Sequence, residues 1–144
     1  MTDTTNDTTA ATDPQIDAEA GPDHTATVDA YFAMLNEADP DRRAALARQA
    51  WTDDGAYYDP LLEAHGHDGL VEMVGGVHAQ FPGQRFVRTS GIDAHHGLVR
   101  FGWELGDGDG AVTVAGIDVG VIAPDGRLNR IAGFFGPLPD REAG

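Results

Sequence analysis

The chain has 144 residues, a length for one domain with a tail, and its 41% hydrophobic content is enough for one core. It has no cysteine, which excludes disulfides, thiolate metal sites and a cysteine nucleophile. The formal charge is −15, all nine basic residues are arginine, and no apolar run approaches the roughly 18 residues of a membrane span, so nucleic acid and membranes are excluded as partners and a soluble, cytoplasmic protein is expected.

Residues 1–23 hold six acidic residues, no lysine or arginine and one large aliphatic, Ile16. Such a segment cannot bury enough apolar surface to offset its ordering entropy, and a disordered acidic tail is expected there. The folded domain is expected over 24–138, with a short tail at 139–144.

A first helix is predicted from His24 to Glu37, capped by Asp23 or Thr25. Val28, Tyr31, Phe32 and Leu35 follow the i, i+3, i+4, i+7 pattern and share its apolar face. Tyr31 therefore points inward, where its hydroxyl needs a hydrogen-bond partner. Asp39-Pro40 opens a second helix that continues from Arg42 to Ala50. Trp51-Thr52-Asp53-Asp54-Gly55 has turn chemistry, and a short aromatic strand, Ala56–Asp59, ends at Pro60. A loop is expected from Pro60 to Gly69. It holds His65 and His67, but no third ligand is signposted, so no metal is assigned. Asp68 is the predicted cap of a third helix, Gly69 to Gln80, with Leu70, Val74 and Val77 on its apolar face. Gly75-Gly76 weakens this helix or allows close packing.

The pattern then changes to strands over Arg85–Asp93, Gly97–Leu105, Ala111–Ile122 and Arg127–Phe135, joined by glycine-rich turns that imply antiparallel pairing. In the second of these, Val99, Phe101, Trp103 and Leu105 share a face, whereas Arg100 and Glu104 share the other. In the third, Asp118 is the one charged residue of an apolar strand, and its same-face neighbours, Gly116 and Gly120, leave room around it. A carboxyl there must either pair with an arginine, Arg100 or Arg130, or keep its proton and donate a hydrogen bond. The whole fits a cone-like α+β domain: three helices packed on a curved, mostly antiparallel sheet that encloses a pocket.

Ala30-Tyr31, the run from Trp51-Thr52-Asp53-Asp54 to Tyr58-Asp59-Pro60 with His65-Gly66 after it, and Ile117-Asp118-Val119 with Asp125-Gly126-Arg127 make the chain resemble the nuclear-transport-factor-2-like (NTF2-like) superfamily, in its SnoaL-like and ketosteroid-isomerase-like branch. The resemblance implies an acid/base enzyme without cofactor, acting on a small apolar carbonyl compound. Asp59 would abstract a proton next to the carbonyl, and Tyr31 and Asp118 would be the oxyanion donors, with Asp118 kept neutral by an apolar site. Trp51 and Val74 stand where the isomerases place supporting tyrosines, a departure that weakens the case for steroid turnover in particular. Together with Phe101, Trp103 and Phe135 they are the expected pocket residues. The resemblance also implies two alternatives, a SnoaL-like polyketide cyclase with Asp118 as the main acid/base or a non-catalytic binding scaffold, and it implies a homodimer.

Overall fold

The computed structural model describes residues 24–142. The acidic segment 1–23 lies outside the described residues, as does Asp23, one of the two expected caps of the first helix. Three helices, α1 (Thr25–Asn36), α2 (Pro40–Ala50) and α3 (Gly66–Gln80), pack on one sheet of seven strands. The strands are β1 (Trp51–Tyr58), β2 (Glu63–His65), β3 (Arg85–Arg88), β4 (Asp93–His95), β5 (Leu98–Gly106), β6 (Val112–Ile122) and β7 (Leu128–Phe135). Their order across the sheet is β2-β1-β7-β6-β5-β3, and β4 also pairs with β5. All pairs are antiparallel except β1 with β7, which run parallel. This is the expected α+β architecture.

The helices form where their chemistry dictates. Asp39 caps α2 by accepting from Arg42 N at 2.9 Å, with Pro40 in the first turn. α1 buries Val28, Tyr31, Met34 and Leu35, and α3 buries Leu70 and Val74. These side chains meet the inward residues of the sheet, Val99 and Phe101 from β5 and Leu128 and Ile131 from β7. Fully burying aliphatics of this size stabilises by about 1.5–3 kcal/mol each. Arg43 of α2 is buried, with its guanidinium against α3 and, among the described residues, no carboxylate paired with it. It donates instead to the carbonyls of Glu37 and Ala38, at 3.0 and 3.2 Å, in the turn after α1. Gly75 makes room for it, since a Cβ there would stand 3.0 Å from the guanidinium.

Several boundaries differ from the sequence expectation. Trp51–Gly55 is not a turn but the first part of β1, and the ladder with β7 shifts register between Trp51 and Ala56. Contacts distant in sequence override the local Asp-Asp-Gly turn chemistry: Asn129 donates to Thr52 Oγ1 and Asp54 Oδ1, and Arg127 donates to the Trp51 carbonyl. The expected loop Pro60–Gly69 contains β2, and α3 starts at Gly66, with His65 at the capping position and Asp68 in the first turn. α1 likewise has His24 at its capping position, with no side-chain cap bond. The expected strand Arg85–Asp93 is two strands, β3 and β4. Between them Ser90 Oγ takes the amide of Gly102 at 2.7 Å, so a side chain stands in for the ladder.

Candidate active site

Sheet register assembles the site. Tyr58 of β1 pairs with Ala132 of the parallel strand β7, so Asp59 follows at the level of Gly133. Gly133 is in turn the antiparallel partner of Asp118 on β6, and Phe101 of β5 lies opposite Asp118 on the other side. Two carboxylates are thus aligned across one glycine. A Cβ on Gly133 would stand 2.8 Å from Asp118 Oδ1, 3.4 Å from Asp59 Cβ and 3.5 Å from the Tyr57 hydroxyl. Only a glycine lets the three groups meet there.

Asp118 is 3% exposed. Tyr31, reaching over from α1, donates to its Oδ2 at 2.9 Å, and Oδ1 has no partner. Neither arginine considered from the sequence reaches it: Arg100 pairs with Asp93 at 2.8 Å, and Arg130 lies over the Tyr58 ring. Burial raises the Asp118 pKa to about 7, against the lowering effect of the Tyr31 hydrogen bond; the Asp59 charge raises it further and the Trp103 indole lowers it. Burial and the nearby Asp118 charge hold the Tyr31 phenol well above its ordinary range, so it stays a donor. Because Tyr31 occupies Oδ2, a proton on this carboxyl belongs on Oδ1.

Asp59 sits in the turn after β1. Its Oδ1 accepts from the amides of Leu61 and Leu62, each at 2.8 Å, and its Oδ2 accepts from the Tyr57 hydroxyl at 2.7 Å. Burial, the Asp118 charge and this hydrogen bond keep the Tyr57 phenol protonated. Tyr57 is the residue that sequence reasoning passed over. The signal was present: residues two apart on a strand share a face, so an inward Tyr57 predicts a phenol beside Asp59.

The structure therefore brings Tyr31, Asp59 and Asp118 together around one point. Trp51, Val74 and Phe101 lie in the packed core, with Trp51 edge-on to Tyr31 at 6.0 Å. Trp103 is also buried, on the Asp118 side of the sheet, and packs edge-on against Phe135 at 5.8 Å. Asp59 and Phe135 are partly exposed, unlike Tyr31, Trp103 and Asp118. An open groove of about 550 Å³ lies elsewhere, between α1 and β3, lined by Asp29, Phe32, Asn36, Arg85, Phe86 and Arg88 among others; none of the three candidate residues lines it. His65 and His67 part company, His65 to Glu63 and His67 to the Trp51 carbonyl.

Comparison with known proteins gives a consistent picture. The profile of the SnoaL-like domain family matches residues 28–131. A protein from Agrobacterium tumefaciens, provisionally designated an isomerase of the SnoaL-like family, is 35% identical; the match covers 79% of this chain and 97% of that one, with a TM-score of 0.74. A provisionally designated SnoaL-like polyketide cyclase from Jannaschia is 16% identical, over 80% of this chain and 88% of that one, with a TM-score of 0.61. An NTF2-like protein of unknown function from Exiguobacterium is 19% identical, over 78% and 99%, with a TM-score of 0.62. These last two share the fold. No match is found among the curated proteins. Among the described residues, no helix is long and apolar enough to cross a membrane.

Proposed function

Since the chain belongs to the SnoaL-like family of the NTF2-like superfamily, we propose that it is a cofactor-free acid/base enzyme of the ketosteroid-isomerase type, shifting a proton next to the carbonyl of a small apolar compound. The observation that carries this reading is Asp118: buried, held at one oxygen by Tyr31 and free at the other, beside a second carboxylate across Gly133. In the forward step Asp59 takes a proton from the carbon next to the carbonyl. Negative charge then develops on the carbonyl oxygen, where the Tyr31–Asp118 pair stabilises it by hydrogen bonding from a low-dielectric position. Return of the same proton two carbons away moves the double bond into conjugation. No atom or electron is gained or lost, and no oxidant is required. The three hydrogen bonds to Asp59 hold it in one orientation, which suits a base that must deliver its proton to a second position.

One observation favours a second reading. Both Asp59 oxygens already accept hydrogen bonds, whereas Asp118 Oδ1 accepts none. In a cyclase of the polyketide type, Asp118 would itself remove the proton, and the carbanion would close a ring onto a second carbonyl. The test is turnover of a β,γ-unsaturated ketosteroid, followed by the ultraviolet absorbance of the conjugated product, in wild type, Asp59→Asn and Asp118→Asn. Loss with Asp59→Asn and a partial decrease with Asp118→Asn supports the isomerase roles. If no protein turns over the steroid, that substrate is rejected. Ring closure of a linear polyketone that survives Asp59→Asn and vanishes with Asp118→Asn supports the cyclase.

The reading extends to a cytoplasmic homodimer. The outer face of the sheet exposes Leu98, Ile117, Val119, Val121 and Phe134 in adjoining positions, an apolar surface suited to a second copy of the same face.

A further inference from the structure

Among the described residues three buried side-chain polar atoms have no hydrogen-bond partner, Trp51 Nε1, Trp103 Nε1 and Asp118 Oδ1, and the last two lie on adjacent strands, β5 and β6. The ladder makes them neighbours. Phe101 stands opposite Asp118 and Trp103 opposite Gly116, so Trp103 and Asp118 are diagonal partners on one face. At the roughly 7–8 Å of such a diagonal, a long aromatic side chain comes within reach. Gly116 is where the indole lies down: a Cβ there would stand 3.0 Å from Trp103 Cζ2. Phe86 and Phe135 hold the ring from two sides, at 6.0 and 5.8 Å between centroids. The indole N–H is near enough to Asp118 to favour its ionised form, yet it makes no hydrogen bond of proper geometry.

A buried donor and a buried carboxyl oxygen left unpaired side by side are each unfavourable by about 1–3 kcal/mol. A guest with a single acceptor oxygen would relieve both at once. Tyr31 holds Oδ2, so the Asp118 proton lies on Oδ1, and Oδ1–H and the indole N–H become two donors without acceptors. We propose that Trp103 is a direct donor of the oxyanion site, with the ligand's oxygen bridging Asp118 Oδ1 and Trp103 Nε1. Tyr31 then acts through Asp118, as a positioning residue. This rests on the acid/base reading above and narrows its substrate. The ligand presents a neutral, unhindered carbonyl oxygen, since a carboxylate would set a second negative charge near that of Asp59 in a buried site.

The chain contains only two tryptophans, so the indole N–H region of a ¹⁵N-correlated proton spectrum holds two signals, from Trp51 and Trp103. The probes are 2-decalone, a fused-ring ketone with no double bond to move, and 2-methylenedecalin, which carries CH₂ in place of the oxygen. The expected result is a saturable downfield movement of the Trp103 signal with the ketone and little with the hydrocarbon. Trp103→Phe should weaken ketone binding about 5- to 10-fold, the worth of one hydrogen bond, and lower kcat on any accepted ketone. If that variant fails to fold, the wild-type spectra decide alone. Ketone binding that moves the amides of Leu61 and Gly133 but leaves the Trp103 indole in place overturns the Trp103 role and spares the acid/base reading. Equal movement with both probes reduces Trp103 to apolar packing and also overturns it. Absence of ketone binding at any amide overturns both.

Discussion

Tyr31 and Asp118 are 87 residues apart in the chain and 2.9 Å apart in space, the phenol donating to a carboxyl oxygen inside the protein. This bond is the main polar link between α1 and the middle of the sheet. Removing the hydroxyl with Tyr31→Phe leaves Asp118 buried with one donor fewer. The expected cost is about 1–3 kcal/mol in urea unfolding. Because this hydrogen bond lowers the Asp118 pKa, its loss should raise that pKa above about 7, read by carbon-detected NMR of the carboxyl.

Asp118 also sets a dependence of stability on pH. Its carboxyl ionises at 3.8 in an ordinary setting and at about 7 in the folded protein. Between those values the folded state holds a proton that the unfolded chain has lost, so the contribution is present at low pH and disappears as pH rises to about 7. The full effect is on the order of 4 kcal/mol, from about 1.4 kcal/mol per pH unit. Asp118→Asn should remove this slope and be more stable than wild type at pH 8. Paired urea melts at pH 5 and pH 8 measure it; an unchanged wild-type slope in the variant would reject the assignment.

Tyr57→Phe tests the phenol found beside Asp59. The variant loses the 2.7 Å bond to Oδ2 but keeps both amide bonds to Oδ1. A base free to swing should show kcat lowered about 10-fold or more with KM little changed, since an orienting group acts mainly on the chemical step. Equal changes in both parameters would point to a packing role.

Gly133→Ala places a methyl 2.8 Å from Asp118 Oδ1, and something must move. The neighbour is the proposed oxyanion carboxyl, held by Tyr31, so activity is expected to fall at least tenfold, with a stability loss of about 1–3 kcal/mol. Circular dichroism separates this outcome from general unfolding.

Charge on the outer sheet face should disrupt the proposed dimer. Ile117 and Phe134 are cross-strand partners there, 47% and 61% exposed. Ile117→Glu with Phe134→Glu is expected to give the monomer mass in analytical ultracentrifugation where wild type gives twice that. A wild-type monomer would reject the dimer.

How far the sequence reached depended on whether a signal was local. Tyr31 was legible because helical spacing fixes its face, and Asp118 because strand alternation does. Helix α2 was announced by Asp39 and Pro40. The parallel pairing of β1 with β7 was not legible, since glycine turns report only on strands adjacent in sequence. That same pairing makes Trp51–Gly55 a strand, against its turn-like composition. The break between β3 and β4 depends on Ser90 Oγ substituting for a backbone carbonyl as acceptor of the Gly102 amide, which no local pattern announces. Tyr57 is a different case: the isomerase pattern places its supporting phenols at the positions of Trp51 and Val74, whereas strand alternation by itself puts Tyr57 beside Asp59.

The parallel join between β1 and β7 governs when the site can exist. β1 has β7 as its one long neighbour, for β2 spans only three residues. Asp59 therefore cannot reach Gly133 and Asp118 until Leu128–Phe135 has been laid against Trp51–Tyr58. Closing so long a loop is entropically slow, and chains rich in such distant pairings fold in milliseconds to seconds. During refolding, the helices and the β5–β6 hairpin should acquire protection from hydrogen exchange before β1 does. The two carboxylates would then meet only in the final, slowest phase.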